Sequence, residues 1–434
     1  MLKRIHVTAL LLLCPAILFA QVIEPDRVRT GSFYSSFGLG APADAYSPYS
    51  LGMGLYGVSV LNQTSPSLSN PSHWGLLGIT QAQISAGLTN FEATDGISSA
   101  SHSILAIESF QFSLPILRER LGVSVVFQPI TRADFTRINN YSTTGELFDS
   151  IDYGVNTIGT GGINKAEIGL GYKLSDIFSI GYAGSIYLLA QREEAITAFS
   201  ESQFRNNRMV ETTTGSSIGH RFGATLWLQE AFRSEDQLIL GSSINLPVSI
   251  DTDRSIKTFR NIDGQQQEVE LNEESPGRTG NVKFPLEFNF GITYYFNNLN
   301  SFTSELQYQN WDSAEYSYSA EREGYFSDRF KAGVGYQHHA YQRQQAQGFF
   351  SDLRYSVGAS YDQGFLTISG QDIETYSFHA GIAVPSPTSR SSVDLSFNFG
   401  IRGTESENLV KENIWGFKLS LNLAEFMFIR SRFQ

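Results

Sequence analysis

From Lys283 the chain reads KFPLEFNFGITYYF. Phe284, Leu286, Phe288, Phe290, Ile292, Tyr294 and Phe296 alternate with Pro285, Glu287, Asn289, Gly291 and Thr293. Successive side chains of a strand point to opposite faces, so this stretch predicts a strand with one oily face and one polar face. The pattern returns near the end of the chain. Val393, Leu395, Phe397, Phe399 and Ile401 alternate with Asp394, Ser396, Asn398, Gly400 and Arg402. Trp415, Phe417, Leu419, Leu421 and Leu423 alternate with Lys418, Ser420 and Asn422. Soluble sandwich strands are usually about five or six residues long, and several of these are twice that. The charges fall on the polar face, as they must if the other face meets lipid. There an Arg or Lys at mid-depth costs about 2–4 kcal/mol. The expected fold is all-β: a transmembrane antiparallel β-barrel with lipid outside and a polar lumen.

Strand candidates of barrel length begin at Gln81 and number about fourteen. They lie near 81–90, 104–115, 121–130, 164–173, 178–190, 215–228, 237–249, 283–296, 302–311, 327–337, 352–362, 374–384, 391–402 and 412–424. Short gaps, such as Leu117–Glu119 and Leu174–Asp176, alternate with long ones at Thr131–Asn164, Gln191–Thr214 and Asp251–Val282. Outer-membrane barrels have short periplasmic turns and long outer loops, so both barrel termini are expected in the periplasm. The connection His338–Phe350 fits less well, being long where a short turn is expected.

The start, MLKRIHVTALLLLCPAILFA, has a basic end at Lys3 and Arg4 and a short apolar core. It reads as a signal peptide, residues 1–20, cut between Ala20 and Gln21. Cys14 is the one cysteine, and Leu13 before it argues against a lipid anchor. Removing the leader leaves no thiol chemistry and makes the formal net charge of −12 more negative, a poor basis for binding nucleic acid. No apolar run after the leader is long enough for a membrane helix. Residues 21–80 are rich in Gly, Ser, Pro and Asn and have little strand pattern, whereas 81–434 carry it throughout.

Within that early segment lie Leu51-Gly52-Met53-Gly54-Leu55-Tyr56-Gly57-Val58-Ser59 and Ser69-Asn70-Pro71-Ser72. These resemble the Gly-Met-Gly…Gly-Val…Asn-Pro-Ala signature of the FadL long-chain fatty-acid transporter family. Ser72 stands where that family has Ala, and Tyr56 where a small residue is common. Tyr34 to Gly40 and the stretch from Glu412 to Phe428 resemble the two ends of FadL-like proteins of Bacteroidetes-type bacteria. The resemblance implies a fourteen-stranded barrel closed by an N-terminal hatch, with Gly52, Gly54, Gly57, Asn70 and Pro71 carrying the hatch motif. It also implies outer loops that capture an apolar ligand. Phe135, Phe148, Phe199 and Phe204 are the candidate contacts here, and Arg132, Arg137 and Lys165 the cations placed to meet a carboxylate.

Other motifs carry less. Gly52 to Gly57 matches a dinucleotide fingerprint without the strand, helix or acid it needs. Gly215-Ser216-Ser217-Ile218-Gly219 matches a nucleophile elbow, but an alternating strand runs on through Phe222 and Leu226. His338-His339 is expected in a solvated turn, without carboxylates at metal spacing. No enzyme, cofactor or metal is expected. The leading expectation is an outer-membrane channel that takes up hydrophobic molecules such as long-chain fatty acids by loop capture and hatch-gated passage, with lipid and an apolar ligand as partners; the family resemblance implies a sideways exit through a gap in the wall. The alternative is a scaffold or shuttle for secreted or periplasmic proteins, of the kind found in type IX secretion. A continuous apolar lining favours the first; a packed lumen with an aromatic outer surface favours the second.

Overall fold

A computed structural model describes residues 31–44, 46–62, 67–145, 148–201, 204–262, 265–269, 279–317, 325–339, 349–386 and 390–425. The leader, residues 1–20, and Phe426–Phe428 lie outside the described residues, as does most of the connection after His339.

Fourteen antiparallel strands close into a barrel. The wall begins with β1 (Thr80–Thr94) and β2 (Ser99–Leu117). β3 is interrupted, running Leu121–Pro129 and then Phe135–Gly145. β4 (Phe148–Lys173), β5 (Phe178–Phe199) and β6 (Asn207–Gln229) are the longest. β7 comprises Gln237–Asn245 and Val248–Ile262; β8 comprises Thr279–Phe284 and Glu287–Asn297. β9 (Asn300–Gln309), β10 (Arg329–His339), β11 (Arg354–Asp362), β12 (Thr375–Pro385), β13 (Ser392–Arg402) and β14 (Lys411–Glu425) complete it. Thr80–Thr94 pairs with Lys411–Glu425, which removes the open edge that lipid would not tolerate. Each expected strand has its counterpart. Large apolar side chains such as Phe288, Ile292, Leu395 and Leu419 are exposed on the outer face, and Asp394 is buried in the lumen 3.0 Å from Arg354.

Three expectations need correction. First, the long gaps are largely strand. β4, β5 and β6 have 26, 22 and 23 residues. At about 3.3 Å per residue and 45° tilt they rise about 50–60 Å, roughly twice the apolar band. One end of the barrel is therefore a tall sheet, and the other a ring of short turns. Secondly, His338-His339 ends a strand. His339 is buried, with Tyr49 Oη 2.6 Å from Nδ1 and Ser301 Oγ 3.0 Å from Nε2. Thirdly, Phe284 faces the lumen, opposite to Phe288. Pro285 has no N–H for the ladder, and the strand breaks between Phe284 and Glu287, which resets the alternation.

The same reset occurs in two neighbours. β7 breaks at Leu246-Pro247, so that Asn245 and then Val248 both face inward. After β9 the turn Trp311–Ser313 returns Trp311 and Tyr316 to the lumen. Toward the short turns these strands line the lumen with Asn245, Glu287, Asn289, Gln307 and Gln309. Toward the tall end they line it with Val248, Ile250, Val282, Phe284 and Trp311. Three adjacent phase resets thus divide one lumen into a polar half and an apolar half.

Candidate functional site

The described residues between 31 and 79, here termed the plug, pack inside the barrel against its wall. Its third 3₁₀ turn, Pro71–Leu76, is capped by Asn70, whose Oδ1 accepts from the Ser72 amide at 3.1 Å. Asn70 Nδ2 donates to the Val58 carbonyl at 2.9 Å and to Thr225 Oγ1 of the wall at 3.1 Å. Pro71 opens the turn and lies against Gly181 and Gly223. A side chain on Gly171, Gly181, Gly241 or Gly358 would collide with plug backbone. A belt of wall glycines thus lets the plug's main chain rest directly on the sheet. Gly52 sits against Gly381 in the same way, its own Cβ position 2.6 Å from the Gly381 Cα. Gly54 and Gly57 have φ of +67° and +80°, conformations that other residues reach only with strain.

Charges hold the plug as well. Asp44 meets Lys331 and lies 3.1 Å from Arg329, which also pairs with Asp362. Burial alone would raise the Asp44 carboxyl, but Arg329 and Lys331 hold it far below the usual carboxylate range. Glu305 accepts from the Gly57 and Val58 amides at 3.0 and 2.7 Å. Arg221 donates to the Leu68 carbonyl at 2.7 Å and pairs with Glu167. Between plug and wall a cavity of about 50 Å³ is lined by Asp44, Lys165, Arg221, Glu287 and Arg329. It has room for a few waters, and Leu68, Ile130, Tyr187 and Phe284 share its lining with those charged groups.

Beyond the plug, toward the tall end, lies the apolar cluster. Trp311 packs against Phe284, Phe326 and Phe365 at ring separations of 5.4, 5.6 and 5.0 Å. It also takes in Tyr34 and Leu39 of the plug, Ile163 of β4 and Ile373, with Ile130 at its margin.

Beside this cluster the wall is notched. The β3 ladder is interrupted after Pro129: the Ile130 and Ala133 amides keep single hydrogen bonds to the Ile163 and Gly161 carbonyls of β4, while Thr131–Arg132 turns inward to pair with Ala41–Pro42 of the plug. The strand resumes at Phe135, where β4 is its one ladder partner among the described residues. β2 meets β3 from Phe110 onward but not over Ser99–Ser109, where β1 is its one ladder partner among the described residues. Among the described residues, two strand edges without a ladder between them therefore face each other across the notch.

The candidate ligand contacts divide. Phe199 and Phe204 are neighbours at 5.3 Å and continue a row through Tyr153 and Tyr141 on the tall sheet. Phe135 is buried against Gly159 instead of lining a loop groove, because it begins a strand. The Phe148 side chain lies outside the described residues. Lys165 is buried 3.3 Å from Glu167 and is no free cation. Arg137 is on the resumed part of β3, and Arg132 is at the notch, 3.3 Å from Glu108. Ser217 sits in mid-strand opposite Tyr187, with no strand-to-helix turn beneath it. No group of three metal-ligating side chains occurs among the described residues.

The apolar cluster and the notch are the features that sequence reading missed. Pro129, Pro247 and Pro285, each inside an apparent strand, were the available signal.

Solved structures share this fold. A Pseudomonas aeruginosa FadL homologue superposes with a TM-score of 0.54 at 14% identity, over 88% of this chain and 98% of that one. A monoaromatic hydrocarbon channel, CymD, gives 0.56 at 11%, over 89% and 99%. The Ralstonia pickettii toluene transporter TbuX gives 0.51 at 12%, over 92% and 99%. No curated protein matches the chain by sequence. The BamG family model matches residues 1–434, the whole chain, which therefore belongs to the BamG family.

Proposed function

We propose that this barrel lies in an outer membrane, short turns toward the periplasm, and passes apolar small molecules from its tall end sideways into the bilayer. The observation that carries the reading is the notch in β3 beside the apolar cluster. An apolar molecule gains about 25 cal/mol for each Å² it buries, and this cluster, which would have to repack around the guest, is the largest apolar grouping among the described residues. The axial route is blocked by glycine-belt contacts and buried ion pairs. A sideways exit spares the cargo both this barrier and the polar half. The structural neighbours include a hydrocarbon channel and a toluene transporter, which is consistent with an apolar cargo but does not identify it. A long-chain fatty acid fits if its carboxylate stays near Arg132 while its tail enters the cluster. The plug need not leave for this passage, in contrast to the hatch-gated route that the family resemblance suggests. No covalent step or cofactor is involved.

Trp311 provides the test. With Trp74, Trp227 and Trp415 replaced by Phe, its emission reports the cluster alone. A brominated fatty acid or brominated alkane is expected to quench it saturably. Absence of saturable quenching by either, in a folded barrel, would defeat the reading.

A second reading, a scaffold for secreted proteins, is favoured by two observations, the first being a lumen filled by plug and buried side chains without a continuous apolar lining among the described residues. The second is the row Tyr141, Tyr153, Phe199 and Phe204, which lies on the sheet that rises above the apolar band. Aromatic side chains on such a surface suit a protein contact. A stoichiometric protein co-purifying with the barrel, and lost on replacing Tyr141 and Phe199 by Ser, would promote it.

A further inference from the structure

The β1–β2 ladder slips by one residue at the notch. Ser85 pairs with Ser109 and Ala86 with Ile107, which leaves Glu108 as an extra, bulged residue. A bulge ends regular pairing and re-aims a side chain. Here it lies next to Phe110, where the pairing of β2 with β3 stops. It turns the Glu108 carboxylate inward while Ile107 and Leu105 remain exposed on the outer face, Leu105 at 74%.

The carboxylate then joins three parts of the molecule. Oε1 is 3.3 Å from Arg132 Nη2, on the inward-turned segment of β3. Oε2 is 3.5 Å from Lys418 Nζ, on β14. Arg132 Nη2 also approaches the Ile107 carbonyl at 3.4 Å, on the strand edge that β3 abandons. A guanidinium thus stands in for the missing ladder. Lys418 Nζ lies 4.8 Å from the centre of the Tyr46 ring, which carries the contact into the plug. Gly87 leaves space for the group: a Cβ there would come within 2.9 Å of Glu108 Oε1.

We infer that Glu108 is the clasp of the lateral outlet, holding the inward segment of β3 against β2 and so keeping the notch shut. The inference deepens the proposed sideways passage and rests on it for its purpose, though not for its geometry. Opening requires Arg132 to leave Glu108 and the Ile107 carbonyl. The strand edges then part, and the apolar cluster behind Ile130 and Ile163 reaches the bilayer. Glu108 is a positioning residue in this scheme and need not touch the cargo.

The test reads the gap itself. Spin labels are placed at Leu105→Cys on β2 and Ile138→Cys on β3, in a Cys14→Ser chain reconstituted in liposomes. The intact clasp is expected to give one narrow distance distribution. Glu108→Gln keeps the shape and removes the charge. It is expected to broaden the distribution and move part of it outward by at least one strand spacing, about 5 Å. Arg132→Gln should do the same, and Glu211→Gln, which loses its ion pair with Arg254 on the tall sheet, should not. Heat-modifiable gel migration shows that each barrel is folded. An unchanged distribution in both folded clasp variants overturns the inference. Ligand release, followed by recovery of Trp311 emission, separates the two ideas. A widened gap with unaltered release keeps the clasp and defeats sideways passage; a widened gap with several-fold faster release supports both.

Discussion

The polar and apolar halves of this lumen are closed in opposite ways. Toward the short turns, the plug meets the wall through backbone on glycine and through ion pairs with partners on several strands. Arg329 alone touches Asp44, Asp362 and Gln309. Such contacts are directional and short-ranged, so the plug fits one position. Toward the tall end, the filling is a cluster of aromatic and aliphatic side chains. These contacts are non-directional, and side chains of this kind can repack around a guest at modest cost. A barrel that needed only a seal could have used either method throughout. The use of both places yielding material beside the notch and rigid material below it.

The contrast can be broken most forcefully at Arg329. Arg329→Met leaves Asp362 buried without its cation and Asp44 with Lys331 only. Removing one partner of a buried pair costs about 3–5 kcal/mol. The plug is expected to become protease-sensitive and the barrel to conduct ions in planar bilayers. Retention of a non-conducting, protected plug would show that the glycine belt suffices. Gly181→Ala attacks that belt. Its Cβ would collide with the Pro71 backbone, and overpacking costs about 1–3 kcal/mol. Conductance should rise less than for Arg329→Met. Gly184→Ala, whose Cβ would have only Tyr182 Oη at 3.7 Å, should match the parent. In the apolar half, Phe365→Ala should leave the plug in place, because Phe365 contacts the cluster and not the belt. Its expected effect is tighter binding of a small hydrocarbon, since a dry cavity of aromatic size accepts one. Equal destabilisation of the plug by Phe365→Ala would erase the distinction between the halves.

Much of the barrel was legible because lipid imposes a strict period of two on its outer face. Leu395, Phe399, Leu419 and Leu421 had to be apolar, and their alternation located the last strands. The tall sheet was not legible, because above the lipid the outer face is no longer required to be apolar and polar residues such as Thr213 are buried on the inner face, so the alternation lapses. Thr212 to Thr214 and Thr197 therefore read as loop. The apolar cluster was hidden for a related reason. Phe284 fits the lipid-face pattern of Phe288 to Phe296, and only the break at Pro285 sends it inward. The plug motif was visible as Gly52, Gly54, Gly57, Asn70 and Pro71, but its receiving surface was not. Gly181 and Gly358 are isolated glycines in separate strands, and only barrel closure gathers them around one segment. The notch depends on a ladder partner that is missing, for which Pro129 was the one hint within the strand's own pattern.

The smallest effect concerns pH and sets two plug groups against each other. His73 is buried in the third 3₁₀ turn, and neither ring nitrogen has a hydrogen-bond partner. Burial lowers its pKa from the ordinary 6.5 to about 3. Between those values the undocked plug binds a proton that the docked plug refuses, so docking weakens as pH falls below about 6.5. Asp44 behaves differently. Its carboxyl is held far below the usual range, so its contribution persists through this window and fades only in stronger acid. Protease protection of the plug should therefore decline between pH 6.5 and 4.5 in the parent. His73→Leu removes the titrating group and should flatten that decline, while Asp44→Asn should lower protection at every pH and leave the slope. If His73→Leu retains the parent's slope, the acid response belongs to the wall, and the plug's third turn is not its sensor.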